Sequence, residues 1–149
     1  MRESMTTERA FLAPAIFRGR QMNKVKTAVI VDDNPPTRTL IFEVLKGIGI
    51  KDIVQAINGE DAIAKIRETS PHLVIMDWKM DVMDGLECTQ RIRSGIDGID
   101  QKIPIVLLTG MVGTDAEKRA YGAGVDLFLE KPFSIKKLHS GIVKILGPA

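Results

Sequence analysis

The stretch at 73–77, Leu-Val-Ile-Met-Asp, constrains the fold most. Its first four residues are apolar with no polar alternation, the pattern of a strand covered on both faces of a parallel sheet. The run stops at a carboxylate, Asp77. In open α/β sheets, ligands gather just outside the carboxyl ends of the strands. Asp77 therefore stands where chemistry is expected.

The rest of the chain repeats the theme of strand and then helix. Residues 27–31 are apolar and β-branched, and read as a buried strand. Asn34-Pro35 reads as N-cap and first helical residue, and Leu40, Ile41, Val44, Leu45 and Ile48 follow at helical spacing until Gly47 and Gly49 end the helix. A short strand at 53–56 comes next. Asn58-Gly59-Glu60 opens a second helix with Ala62, Ile63 and Ile66 inward, which Ser70-Pro71 breaks. After the strand ending at Asp77, Asp84 caps a third helix carrying Leu86, Thr89 and Ile92. A loop at 94–102 leads to an apolar strand at 103–108. Thr114 is placed to cap a fourth helix, short and rich in small residues, expected to be the least stable. A fifth strand is expected at 125–129. Ser134 caps the last helix, with Ile135, Leu138, Ile142 and Ile145 inward. Five strands alternating with five helices imply an α/β parallel sheet covered on both faces.

Composition narrows the function. A chain of 149 residues suits one domain. Its formal net charge of +2 favours neither a nucleic-acid nor a membrane partner. Cys88 is the only cysteine, so neither a disulfide framework nor a cysteine metal site is expected; it reads as helix packing. No apolar run reaches membrane-span length. Residues 11–17 are broken by Pro14 and preceded by Glu3 and Glu8, a poor secretory signal. The expected location is the cytoplasm. Residues 1–24 show no clear period and carry several arginines. They are expected to be a tail outside the fold, with the domain at 25–147.

The residues that end the strands carry the chemistry. Strand one ends in Asp32-Asp33, strand three in Asp77, strand four in Thr109, and strand five in Glu130-Lys131-Pro132. All these ends share one edge of a parallel sheet, so three acids, a hydroxyl and a lysine converge. Three close carboxylates need compensation, because like charge raises at least one pKa. Oxygen ligands with open water positions suit Mg²⁺, and Lys131 adds a second positive charge. A metal, an ammonium, a hydroxyl and a spare carboxylate suit phosphoryl transfer, with Asp77 as nucleophile and an aspartyl phosphate as product. His72 and His139 lie away from this edge and are not expected to act as bases. Lys79 is expected to face solvent, Trp78 to pack or lie on the surface, and Met80 and Met83 to pack in the loop.

At this point the chain resembles the receiver domain of two-component response regulators. The matching pieces are Val29-Ile30-Val31-Asp32-Asp33, Met76-Asp77-Trp78-Lys79-Met80 with Met83-Asp84-Gly85, Leu107-Leu108-Thr109-Gly110, and Phe128-Leu129-Glu130-Lys131-Pro132-Phe133. They span about 24–147. The resemblance implies a doubly wound, flavodoxin-like (CheY-like) sheet of order 2-1-3-4-5. It implies Asp77 as phosphoacceptor, with Mg²⁺ held by Asp32, Asp33, Asp77 and the main-chain carbonyl of Lys79. Thr109 would bond the phosphoryl group and Lys131 would pair with it. Lys131-Pro132 would be cis, and Phe128 would be the aromatic that switches as Thr109 moves. It also implies a phosphoacceptor switch more than an enzyme. The phosphoryl donor would be a histidine kinase or histidine phosphotransfer protein. Because the sequence ends just after the last helix, output is expected through a downstream protein, on the face of helix four, strand five and helix five, or by onward phosphotransfer.

Two departures stand out. Asp81 replaces a frequent proline, which leaves the loop after Asp77 less rigid, and Phe128 replaces a frequent tyrosine and lacks its hydroxyl. Two rivals are an interaction module that works unphosphorylated and a phosphatase with an aspartate nucleophile. The second typically carries Asp-x-Asp after strand one, where this chain has Asp32-Asp33-Asn34. A dinucleotide enzyme lacks its Gly-x-Gly-x-x-Gly.

Overall fold

A computed structural model of the chain describes residues 26–95, 98–110 and 113–147. The tail expected at 1–24 lies outside the described residues, as does Val25 at the expected domain start. The elements alternate throughout: β1 Thr27–Val31, α1 Pro35–Ile48, β2 Asp52–Ala56, α2 Gly59–Thr69, β3 Leu73–Asp77, α3 Gly85–Ser94, β4 Ile105–Thr109, α4 Thr114–Ala123, β5 Leu127–Glu130 and α5 Ile135–Leu146. The five strands form one sheet in the order β2-β1-β3-β4-β5, every pair parallel. The α/β class, the strand order and the five helices are those expected.

Alternation along each strand builds two cores. Val29, Val31, Val74, Met76, Ile105 and Leu107 pack under α2, α3 and α4. Ala28, Ile30, Leu73, Ile75, Val106 and Leu108 pack under α1 and α5. Every residue of β3 and β4 is buried, which explains their unbroken apolar runs. Burying one such side chain stabilises by roughly 1.5–3 kcal/mol. A one-residue slip would swap both faces at once, so the register that aligns the strand ends is strongly specified.

Helix starts follow the sequence signals, with one exception. The side chains of Asn34, Asn58, Asp84 and Ser134 accept N–H bonds from Thr37, Asp61, Glu87 and Lys137. Thr114 does not cap α4. It is the first helical residue, the cap position is Gly113, and no side-chain cap bond forms there. Ile135, expected inward, is 57% exposed. It occupies the first position of α5, one turn before Leu138, Ile142 and Leu146 meet the sheet. β4 and β5 each begin two residues later than expected. Ile103 and Val125 are buried, but their burial comes from loop packing: the Ile103 carbonyl accepts from Arg93 and the Val125 amide returns to Ala120. Pro104, which has no N–H, separates Ile103 from the ladder.

Candidate functional site

Parallel pairing carries the carboxyl ends of β1 and β3 to one edge. Val31 lies opposite Met76 and Asp77 opposite Leu108, so Asp32 follows β1 beside Asp77 and Thr109 is the next residue along β4. Carboxylate oxygens of Asp32, Asp33 and Asp77 all lie within 4.8 Å of one another. Lys131, just past β5, places its Nζ 3.2 Å from Asp77 Oδ1 and 3.5 Å from Asp32 Oδ2. The Lys131 amide donates to the Thr109 carbonyl at 2.7 Å, which fixes the root of the lysine against β4. Lys131-Pro132 is cis.

The acids differ in surroundings. Asp32 is fully buried, Asp77 is buried and Asp33 is exposed. Asp32 Oδ1 accepts the Asn34 amide at 2.8 Å. Its Oδ2 is buried with no hydrogen bond among the described residues; Lys131 stands at ion-pair distance from it without bonding. Burial, and then the charge of Asp32, push the Asp77 carboxyl above the ordinary carboxylate range; Lys131 and the Trp78 amide oppose them.

A buried carboxylate oxygen without a hydrogen bond is costly. Here it sits in a cluster of three oxygen donors whose summed charge one lysine cannot balance. These groups suit a hard divalent cation such as Mg²⁺, and the donor set contains neither sulfur nor imidazole that would favour a softer metal.

The loop after Asp77 closes tightly over the strand end. The Gly85 amide donates to the Trp78 carbonyl at 2.7 Å and the Gly59 amide to the Met83 carbonyl at 3.0 Å. A Cβ on Gly85 would collide with the Asp77 carbonyl oxygen and come within 2.8 Å of Leu107. Lys79 is exposed, Met80 half-buried and Met83 buried. Val82 holds φ 71 at a tight turn closed by the Met83 amide on the Asp81 carbonyl. Trp78 is buried and meets Phe128 edge-on, ring centroids 6.5 Å apart. Arg119 lies 5.2 Å over the Trp78 ring. Phe128 is buried, tilted against Tyr121, and donates its amide to the Tyr121 hydroxyl at 3.1 Å. An aromatic chain thus runs from the residue after Asp77 to β5 and α4.

The expected acids and Lys131 come together by measured distance, and Thr109 joins them by register. Arg38 was not among the residues expected at the site; its guanidinium donates to the Asp32 carbonyl at 2.6 Å. A signal was present: a cation at the start of α1 opposes the helix dipole and needs another purpose. Cys88 is a fully buried packing residue, as expected. His72 accepts the Lys26 and Thr27 amides at the opposite end of the sheet.

The family model for the response regulator receiver domain matches residues 28–143. This chain belongs to that family. The probable chemotaxis protein CheY of Rhizobium etli is 33% identical to this receiver over 124 residues, covering 83% of this chain and 94% of that protein. The phosphate regulon transcriptional regulatory protein PhoB of Pseudomonas aeruginosa is 31% identical over 121 residues, covering 81% of this chain and 52% of PhoB. Among solved structures, the receiver domain of Francisella response regulator 1452 superposes with a TM-score of 0.72 at 26% identity, covering 81% of this receiver and 95% of that chain. Receiver domains in general are phosphoacceptor switches with an acidic, Mg²⁺-binding pocket, and this receiver carries a cluster of three carboxylates.

Proposed function

We propose that this receiver accepts a phosphoryl group on Asp77 from the phosphohistidine of a histidine kinase or phosphotransfer protein. One observation carries the reading: Asp77 stands within 3.2 Å of Lys131 Nζ and shares a 4.8 Å cluster with Asp32 and Asp33. A carboxylate oxygen of Asp77 attacks phosphorus in line with the donor nitrogen. The P–N bond breaks, its electron pair stays on the imidazole, and an aspartyl phosphate remains. Lys131 leaves its pairing with the Asp77 carboxylate and takes the phosphoryl oxygens. The Thr109 hydroxyl, next along β4, donates to another of them.

Asp32, Asp33, Asp77 and the main-chain carbonyl of Lys79 would hold Mg²⁺. Bound there, the ion supplies neutralisation of the clustered carboxylates and of the incoming phosphoryl oxygens.

The protein works as a switch and not as an enzyme on a separate substrate. Phe128 reads the state of Thr109, and the face of α4, β5 and α5 presents the result to a downstream protein or serves onward phosphotransfer. Residues 25–147 form the switching domain, with 1–24 outside it, and a cytoplasmic location goes with this chemistry. Among the described residues, no helix is long and apolar enough to cross a membrane.

Incubation with acetyl phosphate and Mg²⁺, followed by intact-mass measurement, tests the reading. One phosphoryl adduct is expected on the natural chain, and none on Asp77→Asn or after chelation with EDTA. An interaction module that works unphosphorylated predicts no adduct on any of these.

A further inference from the structure

Arg38 sits at the fourth position of α1, whose first turn carries no acid. Its guanidinium bridges two elements. One nitrogen donates to the main-chain carbonyl of Asp32 at 2.6 Å, and Nε donates to Gln55 Oε1 at 2.9 Å. Gln55 is an exposed residue whose backbone is held in the sheet. It lies in β2 opposite Ile30 of β1, and its own carbonyl is held by Lys65 Nζ at 2.7 Å. Arg38 therefore spans from α1 to β2 across the end of β1, where the acidic pair begins.

We propose that Arg38 is a positioning residue for that pair. It sets where Asp33 carries its carboxylate, and so how tightly the cluster holds a divalent cation; this rests on the Mg²⁺ reading above. The Asp32 amide donates to Ala56 O at 3.2 Å, and Asp32 Oδ1 takes the Asn34 amide. With its carbonyl pinned as well, the plane of the peptide joining Asp32 to Asp33 is fixed. Asp33 is exposed. No hydrogen bond reaches its carboxylate among the described residues, and its two neighbours in the cluster carry like charge. Repulsion would swing it toward solvent. Its presence within 4.8 Å of the other two oxygens depends on where the backbone aims it, and Arg38 fixes that aim.

A pure charge effect has the opposite sign, which makes the inference sharp. Removing a cation from beside a cation site tightens metal binding by Coulomb's law. Removing a positioning bond weakens it, typically about tenfold or more.

The test is Mg²⁺ titration of the full chain by calorimetry, with thermal melting in EDTA alongside. Arg38→Ala is expected to weaken Mg²⁺ binding about tenfold. Arg38→Lys, which reaches one of the two acceptors, should fall between. Gln55→Ala removes only the far anchor and should weaken binding by a smaller factor of the same sign. Unchanged or tighter binding in Arg38→Ala overturns the proposal, whatever happens to its melting temperature. Should Arg38→Ala fail to fold, unchanged binding in Gln55→Ala overturns it instead. A natural chain that binds no Mg²⁺ removes the metal reading and this inference together.

Discussion

At Asp77, two opposed influences meet on one carboxyl group. Burial and Asp32 raise its pKa; Lys131 and the Trp78 amide hold it down, and the net direction is upward. The folded chain therefore keeps this proton to higher pH than the unfolded chain does. Stability from this group is complete at low pH and is lost as the pH rises through the folded-state pKa. Asp77→Asn avoids that loss. In EDTA at pH 7 the variant should melt higher than the natural chain. The gap should close as the pH is lowered into the carboxylate range, and Mg²⁺ should reverse it by stabilising the natural chain more. Melting curves across pH with and without the ion check both arms. At Gly85 the outcome is steric. Gly85→Ala drives a methyl group into the Asp77 carbonyl and Leu107, which should destabilise by about 1–3 kcal/mol in urea unfolding. At this scale the acids were readable because each ends an apolar run. Arg38 could be singled out as a misplaced cation but its partners could not be named, because they are a main-chain oxygen and Gln55, seventeen residues away in sequence.

Among the elements, α4 is held least. Only Ala116 and Ala120 are buried on it, and no side chain caps its start. By contrast α5 buries Leu138, Ile142 and Leu146 and has Ser134 as cap. Amide hydrogen exchange should be faster in α4 than in α5; equal protection would show that contacts with β5 compensate. The far edge of α3 depends on Arg93. It donates to the carbonyls of Gly124, Gln101 and Ile103 and pairs with Asp126 at 2.9 Å. The ion pair is partly exposed and adds little, but three carbonyls lose a donor in Arg93→Ala. A loss of about 2 kcal/mol with an unchanged denaturant slope is expected. Helix starts were legible at four of the five helices because Asn, Asp and Ser accept N–H bonds there. The beginnings of β4 and β5 were not, because Ile103 and Val125 are as apolar as strand residues but serve the loops. Ile135 shows that helical spacing names a face only once the helix lies against something.

For the molecule as a whole, the aromatic contacts place Trp78, Phe128 and Tyr121 in one chain from the candidate phosphorylation site to α4. A change at Thr109 that moves Phe128 must disturb both neighbours. Beryllofluoride with Mg²⁺ should therefore shift NMR signals through 109–133 and at the single tryptophan, Trp78. Unchanged spectra at saturation would show that the chain is not a conduit. Fold class and strand order were legible because parallel strands buried on both faces leave so distinctive a trace. The aromatic chain was not, since Tyr121 and Phe128 meet only when α4 folds back on β5.

The order of the strands has a consequence for biosynthesis. β1, made before the other four strands, ends up between β2 and β3, while Lys131 follows β5, made after them. All three acids therefore leave the ribosome before their ammonium partner does. Until it arrives, their mutual repulsion works against gathering the three.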